Sequence, residues 1–341
     1  MALIYFIGIM PLIIAWVIFP EQSHQAAVRG LLIWRDILLP ALFPFFILSE
    51  LLLGLGVVRL LGALLEPVMR PLFRLPGSAG FVMVLGFLAG YPVAAKLTAQ
   101  LYRSAELTRS EAERLVGTAT TADPIFIIGA VAVGLFHNQE IAIILLIAHY
   151  GASIILAFLQ ARFINKNTRM AVTKKLYERL REAWRSHKIF EKRGIWQVLY
   201  EAFEQSLMLV FMIGGLVVFF CVYISLLTSV QIMNYFYSIV YLLLSVISND
   251  SVSLALALTN GLFEVTLGIR TAAEAHGAPT ALQVAATGFI LSWAGLSVHA
   301  QIMSLLQDSA VRYLPFAVSR VFHGIIASLI ALCLWPVFNP T

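Results

Sequence analysis

The sequence predicts an all-α polytopic membrane protein: an inverted-repeat fold with two re-entrant helical hairpins, two broken helices, about seven full spans and additional interfacial helices. Three observations predict it. Hydrophobic residues fill 60% of the 341 positions and charged residues only 12%, against about 25% charged in soluble globular domains; mean hydropathy is +0.88. Apolar windows long enough to cross a bilayer recur along the chain. The same succession of apolar windows and interruptions then occurs a second time, 172 residues later.

In chain order, residues 1–36 form an N-terminal helix and linker. Ala2 to Phe19 lacks a basic leading region and a small-residue cleavage site, so it reads as a retained helix rather than a signal. The first repeat, 37–161, runs as an apolar helix 37–58, an amphipathic stretch 60–75, an interrupted segment 78–101, a second interrupted segment 115–136 and a helix 141–161. Adding 172 gives 209–230, 232–247, 250–273, 287–308 and 313–333, the corresponding features of a second repeat, 206–336. At this offset Pro92 falls on Glu264 and Asp123 on Gly295. Identities are few; the likeness is one of hydropathy and of breaks.

Between the repeats lies a basic linker, 162–205. Residues 162–193 hold eleven Lys and Arg against three Glu, a local charge of +8, so the whole-chain +5 leaves −3 elsewhere. Such a loop marks the cytoplasmic side, and no aromatic interleaving or binding module points to nucleic acid. With this loop inside, Arg59, Arg70 and Arg74 stay cytoplasmic if 78–101 is a hairpin that returns to its own side. Stretch 231–249 has no Lys or Arg, as an outer segment should. The second hairpin then enters from the opposite face, which inverts the repeat. Paired broken segments in inverted repeats are the architecture of many secondary transporters.

Other chemistries find little support. There is no GxxxxGK[ST], HExxH or GxSxG motif. Cys221 and Cys333 sit in apolar runs without metal-type spacing and read as small buried hydrophobes. An enzyme, a bound metal and a cofactor are therefore not expected.

The candidate site lies at the breaks. In "GFLAGYPVAAK" Gly86, Gly90, Tyr91 and Pro92 can end one half-helix and start another. The new N-terminus carries partial positive charge suited to an anion, and Lys96 adds a full charge one turn later, or else snorkels to the interface. In "GTATTADPIF" Thr118, Thr120, Thr121 and Asp123 either cap a helix or supply oxygens to a coupling cation. Glu264 in "NGLFEVTLG" has no charge nearer than Arg270, and a carboxylate at membrane depth is functional by default. It can serve substrate or proton, or pair with Lys96. Asn260 beside it donates to substrate or restrains the hairpin. "WAGLSVHAQ" offers Gly295, Ser297, His299 and Gln301, with His299 equally readable as a packing residue. Glu50 and Gln205 read as structural.

These segments, with "LPALFPFFILSELL" and "LTRSEAERL", resemble the YlbJ-like sporulation integral membrane proteins, the stage V sporulation protein V family, over roughly residues 30–336. That family carries nucleoside-recognition Gate domains. More distantly, the hairpin with its glutamate and the broken helix after it look like those of concentrative nucleoside transporters. The resemblance implies alternating-access transport of dipicolinate, a small aromatic dianion, from the mother cell across the outer forespore membrane. It implies a substrate site at the breaks and a coupling ion, proton or sodium, and it leaves a homo-oligomer open. The nucleoside carriers place acidic and amide groups at their first hairpin where "AGYPVAAK" has none, which points away from a nucleoside and from the usual sodium site.

Overall fold

The computed structural model describes residues 2–54, 57–163, 177–178, 181, 194–246 and 252–338. It is helical throughout, with no strand among the described residues. The basic stretch 162–193, and with it the expectation of its cytoplasmic placement, lies almost wholly outside them.

Helices α1 (Ala2–Ile18) and α2 (Pro20–Ile33) lead through a π-helical turn, Trp34–Leu38, into α3 (Leu39–Gly54). Then follow α4 (Val57–Phe73), α5 (Gly77–Ala89), α6 (Tyr91–Arg103), α7 (Arg109–Ala119), a π-helical segment Phe126–Leu135, and α8 (Ile141–Arg162). The second half opens with α9 (Ile195–Ser229) and continues with α10 (Ile232–Ser245), α11 (Val252–Phe263), α12 (Val265–Ala273), α13 (Thr280–Trp293), α14 (Gly295–Leu305) and α15 (Tyr313–Phe338). From α3 and from α9 onward the order is the same: a helix, a second helix, two half-helices, two more half-helices, and a long closing helix.

Among the described residues four helices are long and apolar enough to cross a membrane, Ile141–Arg162, Ile195–Ser229, Thr280–Leu305 and Tyr313–Phe338, or up to six spans if two bent pairs are counted. This is fewer than the seven expected. One reason is that the amphipathic α4 meets α5 at 95° and so forms an elbow rather than a straight crossing. The broken helix Thr280–Leu305 has 72% of its apolar window buried, against 22% for Tyr313–Phe338. The other two continuous helices, Ile141–Arg162 and Ile195–Ser229, have 56% and 44% buried, so the broken helix sits deepest of the four. Cys221 is buried as expected, but Cys333 is exposed on α15.

Both interrupted segments fold back on themselves. A Cβ on Gly86 would touch the Ala94 side chain at 3.0 Å, so α5 and α6 lie antiparallel about Gly90. In the second, Gly268 presses on the backbone of Gly261 and Asn260 donates to Thr271 (3.2 Å), so α11 and α12 lie antiparallel about Glu264. Glycine is needed at Gly268 because backbone meets backbone there, and at Gly86 because a Cβ would run into the Ala119 carbonyl oxygen.

The charged outer end of α7 is locally encoded by "LTRSEAERL". Thr108 and Glu111 form a reciprocal capping box: the Thr108 hydroxyl accepts from Glu111 N–H (3.3 Å) and the Glu111 carboxylate from Thr108 N–H (2.8 Å). One turn on, Glu113 receives the Arg312 Nε and Nη2 donors at 2.8 and 2.9 Å and Arg109 Nε at 3.1 Å, tying α7 to the start of α15. Hydrogen bonds from the Arg312 side chain, above all, hold the Glu113 carboxyl down at about 2, against an ordinary 4.5. Because the folded-state value is depressed, this contribution is complete above about 4.5 and is lost as pH falls toward 2. The melting temperature in detergent should therefore drop as pH is lowered through that window, and Glu113→Gln should remove this part of the drop. Identical pH profiles for the two proteins would deny the bridge a role in stability.

Candidate functional site

Four interruptions meet at the centre, paired within each half. Gly90 ends α5 with φ +85°, a conformation open to glycine, and Pro92 starts α6. A Cβ at Gly90 would lie 3.4 Å from Asp123 Oδ2, and Thr121 donates to the Gly86 carbonyl (3.0 Å), so the first hairpin rests on the break between α7 and Phe126. In the second half Glu264 is extended (φ −141°, ψ 123°). Gly295, at φ +72°, packs directly on the backbone of Phe263, Glu264 and Val265.

The two carboxylates at these breaks are helix caps. Asp123 Oδ1 accepts Phe126 N–H at 2.8 Å, and Glu264 Oε2 accepts Leu267 N–H at 2.6 Å. Capping of this kind stabilises a helix start by about 0.5–2 kcal/mol. It also occupies two of the four half-helix N-termini with the protein's own negative charge, so these ends do not stand open to an anion.

Between the breaks lies a cavity of about 50 Å³, measured as space open to the centre of a water molecule. At ~10–15 Å³ per water this is room for a few waters. The breaks contribute Ala89, Gly90, Tyr91, Pro92, Asp123, Glu264, Val265 and Thr266; α14 contributes Ser297, Val298 and Gln301. Opposite stands an apolar wall of Leu38, Leu42 and Phe46 with Ile213 and Val217. Ser297 Oγ is buried and has no hydrogen-bond partner among the described residues. Among the described residues no Lys or Arg lines the cavity, and no cluster of three His, Cys, Asp or Glu suited to a metal occurs.

Behind this cavity the severed C-terminal ends converge on Arg320 of α15, which is fully buried. Its Nη1 donates to the carbonyls of Thr120 (2.5 Å) and Gly117 (3.4 Å), and its Nη2 to that of Ser292. One guanidinium thus serves the last turns of both α7 and α13. Two helix C-termini at about −0.5 charge each balance its single positive charge. His149 of α8 completes the bracket: Nε2 accepts Ala122 N–H (2.9 Å), which leaves the proton on Nδ1 to donate to Ser292 Oγ (2.8 Å). His323 stacks on His149, centroids 4.8 Å apart, and donates to the His149 carbonyl (2.7 Å).

Of the residues expected from sequence, Gly90, Tyr91, Pro92, Asp123, Glu264, Ser297 and Gln301 share the cavity. Tyr91 spends its hydroxyl on the Leu291 carbonyl at 2.7 Å, joining the halves. Lys96 does not line the cavity and does not pair with Glu264. It points one turn away to Glu50 (2.7 Å) and Gln205 (3.2 Å). Thr120 turns back to the Val116 carbonyl and Thr121 to Gly86, so both hold the break rather than face the cavity. Asn260 accepts from the Tyr237 hydroxyl (3.2 Å) and braces the second hairpin. His299 lies between the Trp293 carbonyl (2.9 Å) and the Tyr313 hydroxyl (3.0 Å), and Gly295 serves packing. Arg320, His149, His323 and Thr266 were not anticipated. Arg320 carries the same mark that singles out Glu264, a lone charge in the apolar run "AVSRVFHGII".

Apolar helices with hairpins and broken helices meeting at an internal cavity mark an integral membrane protein. The Gate family, described as nucleoside recognition, matches residues 37–163. The chain is 36% identical over 329 residues to the sporulation integral membrane protein YlbJ of Bacillus subtilis (strain 168), covering 93% of this chain and 78% of that protein. It belongs to the YlbJ family of sporulation integral membrane proteins.

Removing Arg320 would leave buried carbonyls of both broken helices without donors. Arg320→Met should cost about 3–5 kcal/mol, read as a lowered melting temperature or loss of monodisperse protein in detergent. Arg320→Lys should rescue only in part, because an ammonium lacks the planar fork that reaches both helix ends. Wild-type melting of Arg320→Met would remove the clamp from the account.

Proposed function

We propose that the protein is a membrane transporter working by alternating access, and not an enzyme. Its substrate on this reading is dipicolinate, carried from the mother cell across the outer forespore membrane. The observation that carries the transport reading is the cavity at the junction of four helix breaks, largely apolar in surface, with Asp123, Glu264, Ser297 and Gln301 set into it. Non-helical backbone at membrane depth is tolerated where it lines such a cavity. The identical order of elements in the two halves supports a duplicated, inverted architecture. Membership of a sporulation family supports the setting.

The charge of the cavity constrains the mechanism. Asp123 and Glu264 both line it and no basic side chain does, so a dianion beside two carboxylates would be repelled. The substrate must arrive with compensating cations, and the two carboxylates are where protons or sodium would sit. Ser297, Gln301 and the Gly90–Tyr91 backbone supply hydrogen bonds, and the apolar wall takes the ring. A second reading, a neutral nucleoside, is favoured by the description of the Gate family and by this same lack of basic groups.

Uptake into proteoliposomes decides between them. Saturable dipicolinate uptake, inhibited by phthalate and indifferent to uridine, is the expected result. Glu264→Gln keeps an oxygen for the Leu267 N–H while removing the charge. It should slow uptake roughly tenfold or more and flatten its response to an imposed proton or sodium gradient. Uridine uptake would establish the nucleoside reading. Folded protein that moves neither solute would make it a membrane scaffold, with the basic stretch 162–193 as its recruiting segment.

A further inference from the structure

We infer that the Lys96–Glu50 ion pair, braced by Gln205, is the gate between the central cavity and a polar vestibule, and that Lys96 is the group through which an arriving carboxylate opens it. The inference deepens the transport reading above and rests on it.

Two polar pockets of about 320 and 280 Å³ adjoin one another, with Lys96, Gln100 and Gln205 bordering both. The central cavity, by the same measure, has about 50 Å³. A ligand site ordinarily takes ~300 Å³ or more, so it is the vestibule that has room for an aromatic ring in this state. The walls are shared. On α3, Phe46 faces the cavity and Glu50 the vestibule; on α6, Pro92 and then Lys96. On α9, Ile213 faces the cavity and Leu209 the vestibule; on α14, Gln301 and then Ser304. Each step is three or four residues, about 5–6 Å of helix. Four elements that leave the cavity together and enclose the vestibule one turn later describe a single path.

The ion pair stands at that junction. Lys96 Nζ lies 2.7 Å from Glu50 Oε1 and 3.2 Å from Gln205 Oε1, linking the first hairpin to α3 and α9. The side chains are 19% and 11% exposed, so solvent reaches the pair from the vestibule. A carboxylate in the vestibule competes with Glu50 for the same ammonium, and a pair so exchanged no longer bridges the hairpin to its neighbours. At the rim, Arg103, a further two turns along α6, faces Asp308 at 3.9 Å. The vestibule is lined by Arg103 at the end of α6 and by Val198, Glu201 and Ala202 near the start of α9, the helix that follows the basic stretch 162–193 in sequence. With that stretch cytoplasmic, the vestibule faces the side from which substrate is loaded.

The test is thiol labelling of Gln301→Cys by a membrane-impermeant reagent applied from the vestibule side, in a Cys221→Ala, Cys333→Ala background. Lys96→Gln and Glu50→Gln should each speed labelling roughly tenfold or more, by shifting the gate toward open. The charge-swapped Lys96→Glu, Glu50→Lys protein should return to the slow rate. Labelling unaffected by either single variant, or equally fast in the swapped protein, overturns the gate. Millimolar dipicolinate should speed labelling of the parent and leave Lys96→Gln unchanged. Fast labelling of the single variants with no response to dipicolinate would keep the gate and overturn the anionic substrate.

Discussion

Cutting a helix inside a bilayer strands carbonyls that have no water to receive them. Here α7 and α13 are both cut, and Arg320 of α15 takes the carbonyls at both ends. The charge of the guanidinium is itself intolerable in apolar surroundings without partners, so clamp and severed helices stabilise each other. The geometry of the cavity follows. The clamp fixes where α7 and α13 stop, His149 orients Ala122 and Ser292, and the next residues, Asp123 and Gly295, are where the chain starts again. The free ends of the broken helices are thus placed from behind by side chains that never touch the cavity.

The restarts obey the complementary rule. A half-helix N-terminus inside a membrane needs an acceptor, and the protein supplies its own in Asp123 and Glu264. This reverses the simplest electrostatic picture of the site. Positive helix ends and a lysine would form an anion trap; instead two of the four ends are capped by carboxylates and the lysine is turned out to the vestibule. The two arrangements differ in what they demand of a passenger. A positive trap binds a dianion and holds it. An acidic cavity admits one only with cations, which is the condition for coupling transport to an ion gradient.

Much of the fold was legible because its signals are local. The breaks at Gly90, Thr120 to Asp123, Glu264 and Gly295 each show as glycine, proline or a polar residue in an apolar run, and backbone chemistry translates these directly into helix ends. The repeated order of elements shows in the spacing of those breaks. What was not legible depends on the direction of side chains. Lys96 lies one turn from Pro92 in sequence and so reads as part of the hairpin tip, but the helix turns its side chain outward to Glu50, 46 residues away. Thr120 and Thr121 read as ligands because they are polar; both instead bond the backbone, as hydroxyls in broken helices readily do. Arg320 was overlooked although it is as isolated as Glu264, because its partners are carbonyls rather than an acidic side chain that a sequence reading would seek.

The distribution of polar ties separates the molecule into two parts. On one side α8 and α15 are bonded to the broken helices by Arg320, His149 and Ser153 to the Thr118 carbonyl (2.7 Å), and to each other by Gln160 to Ser319 (2.9 Å). On the other, α9 is bound to the turn before α3 by Trp34 Nε1 on the Val210 carbonyl (2.9 Å), with Phe43 and Phe203 edge to face. Between them, at the cavity, α3 and α9 offer a wall of leucine, isoleucine, valine and phenylalanine, and the polar link reaching across from the first hairpin is Lys96 to Glu50 and Gln205. Apolar surfaces slide without leaving hydrogen-bonding groups stranded, whereas displacing Arg320 from its carbonyls would strand several at once. Relative motion is therefore cheapest along the wall of α3 and α9. The closing helices α8 and α15 are bonded to the elements that line the cavity.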